Sequence, residues 1–221
     1  MIKIGFIGAG NMGGALAIAA SKVENTQIFI YDKDEEKAAE LAKKAGASLS
    51  SSRKIAGECD YVFIAVKPNI VPCVAEEISS YITGNTCVVS MAAGVSIDSL
   101  KSYFGKDKKI IRIMPNTPAT VGCGMMLYTV SSEVSENEKN GFLNIMSKSG
   151  EIDEIPEKLI DAASAVSGCG PAFVYMFIEA MADGAVECGL PRDKALAYAA
   201  NTLIGASEMV KKTGKNEGED K

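Results

Sequence analysis

Histidine is absent from all 221 residues. Without imidazole there is no Cys₂His₂ zinc site, no Ser-His-Asp triad and no histidine general base. Cysteine is present but unorganised: Cys59, Cys73, Cys87, Cys123, Cys169 and Cys188 are scattered, with no C-x-x-C pair. Cys87, in TCVVS, stands in an apolar run where a free cysteine behaves as a small hydrophobe. All six read as reduced and structural, as in a cytosolic protein, and no metal is expected. The chain opens directly on a strand, with no basic segment and apolar core before it, so no signal peptide and a cytoplasmic location are expected. No apolar run approaches the roughly 20 residues of a bilayer span. The formal net charge of −5 argues against nucleic acid or anionic membrane as a main partner.

The remainder is an ordinary globular composition, 47% hydrophobic and 23% charged, long enough for one large domain or two modest ones. Short β-rich runs (IKIGFI, QIFIY, DYVFIAV, TCVVS, KIIRI) alternate with helical stretches at 11–22, 34–44, 70–81 and 96–104. In the second stretch Asp34 is a fitting N-cap and Gly46 stands just past the end. Alternation of this kind predicts an α/β fold, a doubly wound, mainly parallel sheet with helices on both faces. A weaker strand, MMLYTV, and a helix over 135–147 extend it. After Pro156 only helices remain, over 156–165, 171–188 and 191–212, each opening on proline. The expected division is therefore a dinucleotide-binding domain over residues 1–155 and an all-helical domain over 156–221. The last two helices are apolar on every side, which predicts burial, either inside their own domain or against a partner subunit.

The chemistry begins at GFIGAGNMGG. Gly8, Gly10 and Gly13 form G-x-G-x-x-G between a strand and a helix, which is the setting a dinucleotide fingerprint requires. The first glycine allows the tight turn, the second admits a pyrophosphate to the backbone, and the third lets helix and strand pack closely. The phosphates would sit at the positive N-terminus of the helix. Asp32, at the end of the second strand, can bind a ribose 2′-hydroxyl and would repel a 2′-phosphate, which Lys33 beside it offsets in part. The other reading of Asp32 is a solvated capping residue, for which Asp34 is the better placed.

Further segments are distinctive: Ala65-Val66-Lys67-Pro68, Ser90-Met91-Ala92-Ala93-Gly94-Val95, Arg112-Ile113-Met114-Pro115-Asn116-Thr117-Pro118, and Ala165-Val166-Ser167-Gly168-Cys169-Gly170-Pro171-Ala172-Phe173. With IGAGNM before them and DGAVECGLPR after, this succession closely resembles the pyrroline-5-carboxylate reductases from Met1 to about Gly214. The resemblance implies an N-terminal Rossmann domain and a C-terminal helical domain that interlocks with a second copy in a homodimer or larger homo-oligomer. It implies NADPH or NADH as cofactor and 1-pyrroline-5-carboxylate as substrate, reduced to L-proline in the last step of proline biosynthesis. By position, Ile7, Gly8, Ala9, Gly10, Asn11 and Met12 would cradle the pyrophosphate, and Asp32 and Ser52 would lie near the adenosine half. Ala65, Val66, Lys67, Pro68 and Ala93 would line the way to the nicotinamide, and Asn116 would also bind the cofactor. Lys67 also reads as a surface lysine, and Asn116 as a turn residue between prolines.

Ser167, Gly168, Cys169 and Gly170 are candidates for the substrate, because a glycine-rich helix entry offers free N–H groups to a carboxylate; a plain helix entry is the alternative. Cys169 stands where the family usually has serine, keeping the size but weakening the hydrogen bond. The family continues with a histidine-proline pair and a Ser-Pro-Gly-Gly-Thr-Thr loop that serves the substrate carboxylate. Here Asn216 and Glu217 stand at the histidine-proline positions and the chain reads GEDK to its end. No residue inherits the loop's threonine, no catalytic side chain is assigned, and reduced turnover and an incomplete helical domain are expected. Two other readings stay open. A non-enzymatic dinucleotide-binding protein would keep the cofactor half alone. A β-hydroxyacid-dehydrogenase-like reductase would want a lysine in the helix over 171–188, which has none.

Overall fold

The computed structural model describes residues 1–214; Asn216 and Glu217 lie outside them. The chain runs β1 (Ile2–Ile7), α1 (Asn11–Ser21), β2 (Thr26–Tyr31), α2 (Glu35–Ala45), β3 (Ser48–Leu49), α3 (Ser52–Glu58) and β4 (Tyr61–Ile64). It continues through α4 (Val71–Ile78), β5 (Cys87–Ser90), α5 (Ile97–Phe104), β6 (Lys109–Met114), β7 (Gly124–Val130), α6 (Glu136–Met146) and β8 (Gly150–Glu154). Three helices close it: α7 (Glu157–Ser167), α8 (Gly170–Glu187) and α9 (Arg192–Thr213). The strands form one sheet in the order β3-β2-β1-β4-β5-β6-β7-β8, parallel except where β7 runs against β6. The doubly wound sheet followed by helices is thus the fold the sequence predicts. Its strand order reverses between β1 and β4, and ligands of such sheets bind beyond the strand ends at that point.

Alternation along the strands builds the two layers of core. Tyr61 and Phe63 face one side with Phe6, Val89 and Ile111, under α1, α2 and α6; Val62 and Ile64 face the other with Val88 and Ile110, under α3, α4 and α5. Phe6 and Phe63 stack across neighbouring strands at 4.6 Å between ring centres. Local signals hold the helix ends. Asp34 caps α2 by accepting from the Lys37 N–H, and Gly46 closes it at φ 60°. Ser135 and Glu138 form a reciprocal capping box on α6. All six cysteines are free; burial pushes the Cys59 and Cys87 thiols up to about 12.

Several expectations change in detail. The run DYVFIAV leaves the sheet after Ile64, freeing Ala65 and Val66 for the strand-end crevice. The short β3, α3 and β8 carry too little apolar periodicity to be read from sequence. Pro156 and Pro191 sit at the N-cap and not inside the first turn.

The chain divides into two compact units, Met1–Gly168 and Cys169–Lys221. Helix α7, assigned from sequence to the helical domain, groups with the sheet and contacts β7. In the second unit α8 and α9 pack on each other along small side chains, with Ala182, Ala195 and Ala199 buried. Burial of these helices inside their own domain does not hold: Phe173 is 67% exposed and Met176 66%, because two helices cover only a narrow seam of one another. The estimate of membrane-length runs also needs correction. Within Glu157–Glu187 an 18-residue window reaches a mean hydropathy of 1.3, so the segment passes as a span by length and composition. No strongly polar break separates α7 from α8, and treating them as separate helices hides this.

What attaches α7 to the sheet is a buried cation. Arg112 on β6 is 3% exposed and donates to Glu157 at 3.1 Å and Asp161 at 2.8 Å. Glu157 also accepts the Ile97 N–H at the start of α5. The two carboxylates can turn to water if released, but the guanidinium cannot. Neutralising both acids (Glu157→Gln with Asp161→Asn) is therefore expected to cost about 3 kcal/mol in urea unfolding, against about 1 kcal/mol for Arg112→Met. Equal losses would show that the cation is not the costly partner.

Candidate functional site

The turn from β1 to α1 is built by close backbone approach. Gly8 has φ 112°, and a Cβ there would meet the Ala65 carbonyl oxygen at 2.4 Å. A Cβ on Gly13 would lie 2.6 Å from the Gly8 carbonyl oxygen and 2.7 Å from the Ala65 side chain. A Cβ on Gly10 would meet nothing within 4 Å. Two glycines are thus fixed by contacts within the chain, while the third faces open space, as an approaching ligand would require. Gly10 is the N-cap of α1 and offers no side-chain cap, and the first turn carries no acid. Among the described residues no side chain caps the first N–H groups of α1, which therefore favour an anion.

Asp32 braces this turn. Its carboxylate accepts the Ala9 N–H at 2.6 Å and the Asp34 N–H at 2.9 Å. Gly8 donates to the Tyr31 carbonyl at 2.7 Å and Ala65 to that of Ile7 at 2.8 Å, so β2 and β4 grip the loop from both sides.

Between these strand ends lies a crevice of about 310 Å³. It brings together Ile7, Gly8, Gly10, Asp32, Ser52, Ala65, Val66 and Lys67 from the sequence-predicted set. Ala9 and Asn11 line an adjoining groove that shares Gly10. Met12, Pro68 and Ala93 do not line the crevice. Nor does Asn116, which is 7% exposed, accepts the Met125 N–H at 2.9 Å and donates to the Ser167 carbonyl at 2.8 Å. Ser167 and Gly168 end α7, and among the described residues the buried Ser167 hydroxyl has no hydrogen-bond partner. Cys169 and Gly170 open the second unit. Among the described residues no group of three His, Cys, Asp or Glu side chains is arranged to hold a metal.

The crevice also contains Tyr31, Ile70, Val74 and Glu77, which sequence reasoning did not single out. The last three fall at i, i+4 and i+7: Val74 and Glu77 stand on α4 and Ile70 is its N-cap, and that spacing was the available signal. Ser52, 3% exposed at the start of α3, donates its hydroxyl to the Glu77 carboxylate across the crevice wall.

Known proteins resemble this chain throughout. The family model "Pyrroline-5-carboxylate reductase dimerisation" matches residues 157–220, and "NADP oxidoreductase coenzyme F420-dependent" matches residues 3–94. The pyrroline-5-carboxylate reductase of Escherichia coli K12 is 44% identical over 220 residues, covering 98% of this chain and 82% of that one. The chain belongs to the pyrroline-5-carboxylate reductase family. Family members extend to pyrroline-5-carboxylate reductase 3 of Danio rerio, 39% identical over 97% of this chain and 75% of that one. Among solved structures, the Plasmodium falciparum pyrroline carboxylate reductase with NADP bound superposes at a TM-score of 0.87. It is 36% identical, over 97% of this chain and 80% of that one. Prephenate dehydrogenase from Aquifex aeolicus, at 12% identity and a TM-score of 0.63, shares the fold alone; the match covers 97% of this chain and 92% of that one.

The glycines differ in what they can accept. Gly13→Ala should lower stability by about 1–3 kcal/mol, because the backbone it meets has no room to give. Gly10→Ala should melt within about 0.5 kcal/mol of the parent, losing only a small N-cap preference. Thermal unfolding of the two variants checks this; a Gly10 variant as damaged as the Gly13 one would refute it.

Proposed function

We propose that the chain binds a nicotinamide dinucleotide in the crevice between β1 and β4 and reduces 1-pyrroline-5-carboxylate to L-proline. The observation that carries this reading is Gly10: an open backbone position at a bare helix N-terminus, flanked by two glycines that the fold itself has closed. Ile7, Gly8 and Gly10 would hold the pyrophosphate, with Ala9, Asn11 and Met12 beside them. Asp32 and Ser52 would take the adenosine half. Ala65, Val66 and Lys67 line the same crevice, and Pro68, Ala93 and Asn116 lie on the loops beyond β4, β5 and β6. The bound cofactor supplies a hydride.

A cyclic imine suits a site without histidine. The protonated C=N accepts a hydride at carbon, the π pair passes to nitrogen, and the proton already there stays on the product amine. The protein's work is to hold donor and acceptor together and to anchor the carboxylate. Ser167, Gly168, Cys169 and Gly170 are our candidates for that anchor, and the unpaired Ser167 hydroxyl supports the choice. No side chain is assigned to proton transfer.

Asp32 would favour NADH, since a 2′-phosphate would meet its carboxylate, and Lys33 beside it would offset this in part. The exposed apolar faces of α8 and α9 would close against a second copy, making a homodimer or larger homo-oligomer. A cytoplasmic location fits such an enzyme.

The test is oxidation of NADH and NADPH with and without 1-pyrroline-5-carboxylate, alongside calorimetric binding of each cofactor. Substrate-dependent oxidation is the expected result. Cofactor binding without oxidation would instead leave a dinucleotide-binding protein, and no binding would defeat the proposal. Asp32→Asn should shift the NADPH:NADH affinity ratio about tenfold toward NADPH, roughly 1.4 kcal/mol.

A further inference from the structure

The crevice contains two acids, and the dinucleotide reading uses only one. Asp32, at the end of β2, is placed for the adenosine ribose. Across from it, Val66, Ile70 and Val74 make an apolar wall, and Glu77 stands at the end of that wall, on the same side of α4. The wall can take a flat aromatic ring. Glu77 is half-buried there, so its carboxylate is accessible as a hydrogen-bond acceptor beside the place a ring would take.

Glu77 is held in place. One oxygen accepts the hydroxyl of Ser52, itself 3% exposed. Among the described residues no cation pairs with Glu77, so its second oxygen is open to a ligand. Ionised carboxylates accept hydrogen bonds and donate none. The group that matches this arrangement is a flat heteroaromatic ring carrying an amino group at its edge. In a dinucleotide whose ribose lies at Asp32, that ring is the base one glycosidic bond away.

We infer that Glu77, oriented by Ser52, reads the exocyclic amine of the adenine and so selects adenine over a 6-oxo purine. The inference rests on the dinucleotide reading above and extends it to a residue outside the glycine motif. With hypoxanthine in place of adenine, a carbonyl oxygen would face the carboxylate, and attraction would become repulsion. Glu77 would act as a positioning residue for the cofactor, distant from the reacting atoms.

Binding of NADH and of its hypoxanthine analogue, measured by titration calorimetry on the full chain, tests this without any need for turnover. The parent chain should bind NADH at least tenfold more tightly than the analogue. In Glu77→Gln the amide keeps an acceptor for Ser52 and turns a donor to the base, so the two affinities should come within about twofold. Ser52→Ala, which loses the orienting hydroxyl, should keep the preference for NADH but shrink it. Thermal unfolding confirms that each variant is folded.

Equal binding of the two dinucleotides by the parent chain would overturn the inference. So would a tenfold preference that survives in Glu77→Gln, since another group would then be reading the base. Failure of both dinucleotides to bind would instead defeat the dinucleotide reading, and with it this extension.

Discussion

The contact between the β1–α1 turn and Ala65 sets the terms for the rest of the first unit. Gly8 and Gly13 bring the turn so near to β4 that a single added carbon at either would strike backbone or Ala65. That closeness places α1 on the sheet, points its unpaired N–H groups at the strand ends, and narrows the crevice to its present width. It is a hard-sphere constraint with no soft alternative, since the nearest atoms are backbone or the Ala65 Cβ, which no rotamer change can move aside. The helix dipole and the open face at Gly10 matter only because this contact aims them.

Asp32 extends the same constraint sideways. By accepting the Ala9 and Asp34 N–H groups, its carboxylate ties the glycine turn to the start of α2. A residue read from sequence as a ligand for ribose is thus also part of the frame. Charge-assisted bonds to backbone N–H groups hold such a side chain in one geometry, which is what recognition of a hydroxyl pair needs. Glu77 and Ser52 repeat the device on the opposite wall, with a hydroxyl in place of backbone donors.

The second unit follows a different logic. Helices α8 and α9 bury mainly alanines against each other and leave Phe173, Met176 and Phe177 outside. Small residues permit close helix approach but contribute little burial, so the larger side chains stay uncovered within one chain. The dimerisation match over residues 157–220 begins inside the first unit, at α7. The Arg112 pairs with Glu157 and Asp161 therefore anchor the start of the segment that the dimerisation model matches.

The sequence by itself determined the doubly wound sheet, the glycine turn, the caps at Asp34 and Gly46, and membership of the reductase family. These depend on local spacing: period two in strands, an N-cap beside acids, and three glycines at fixed intervals. The tertiary structure alone decided what depends on distant neighbours. Asn116 faces inward because Met125 and Ser167 come to it, and Asp32 braces the turn because Ala9 lies within reach. Glu77 enters the crevice because α3 and α4 meet there. Helix α7 joins the sheet because a buried arginine on β6 needs its carboxylates. The apolar helices stay exposed because a pair cannot enclose itself. A spacing rule describes neighbours along the chain, whereas each of these follows from which side chains the closed sheet makes adjacent.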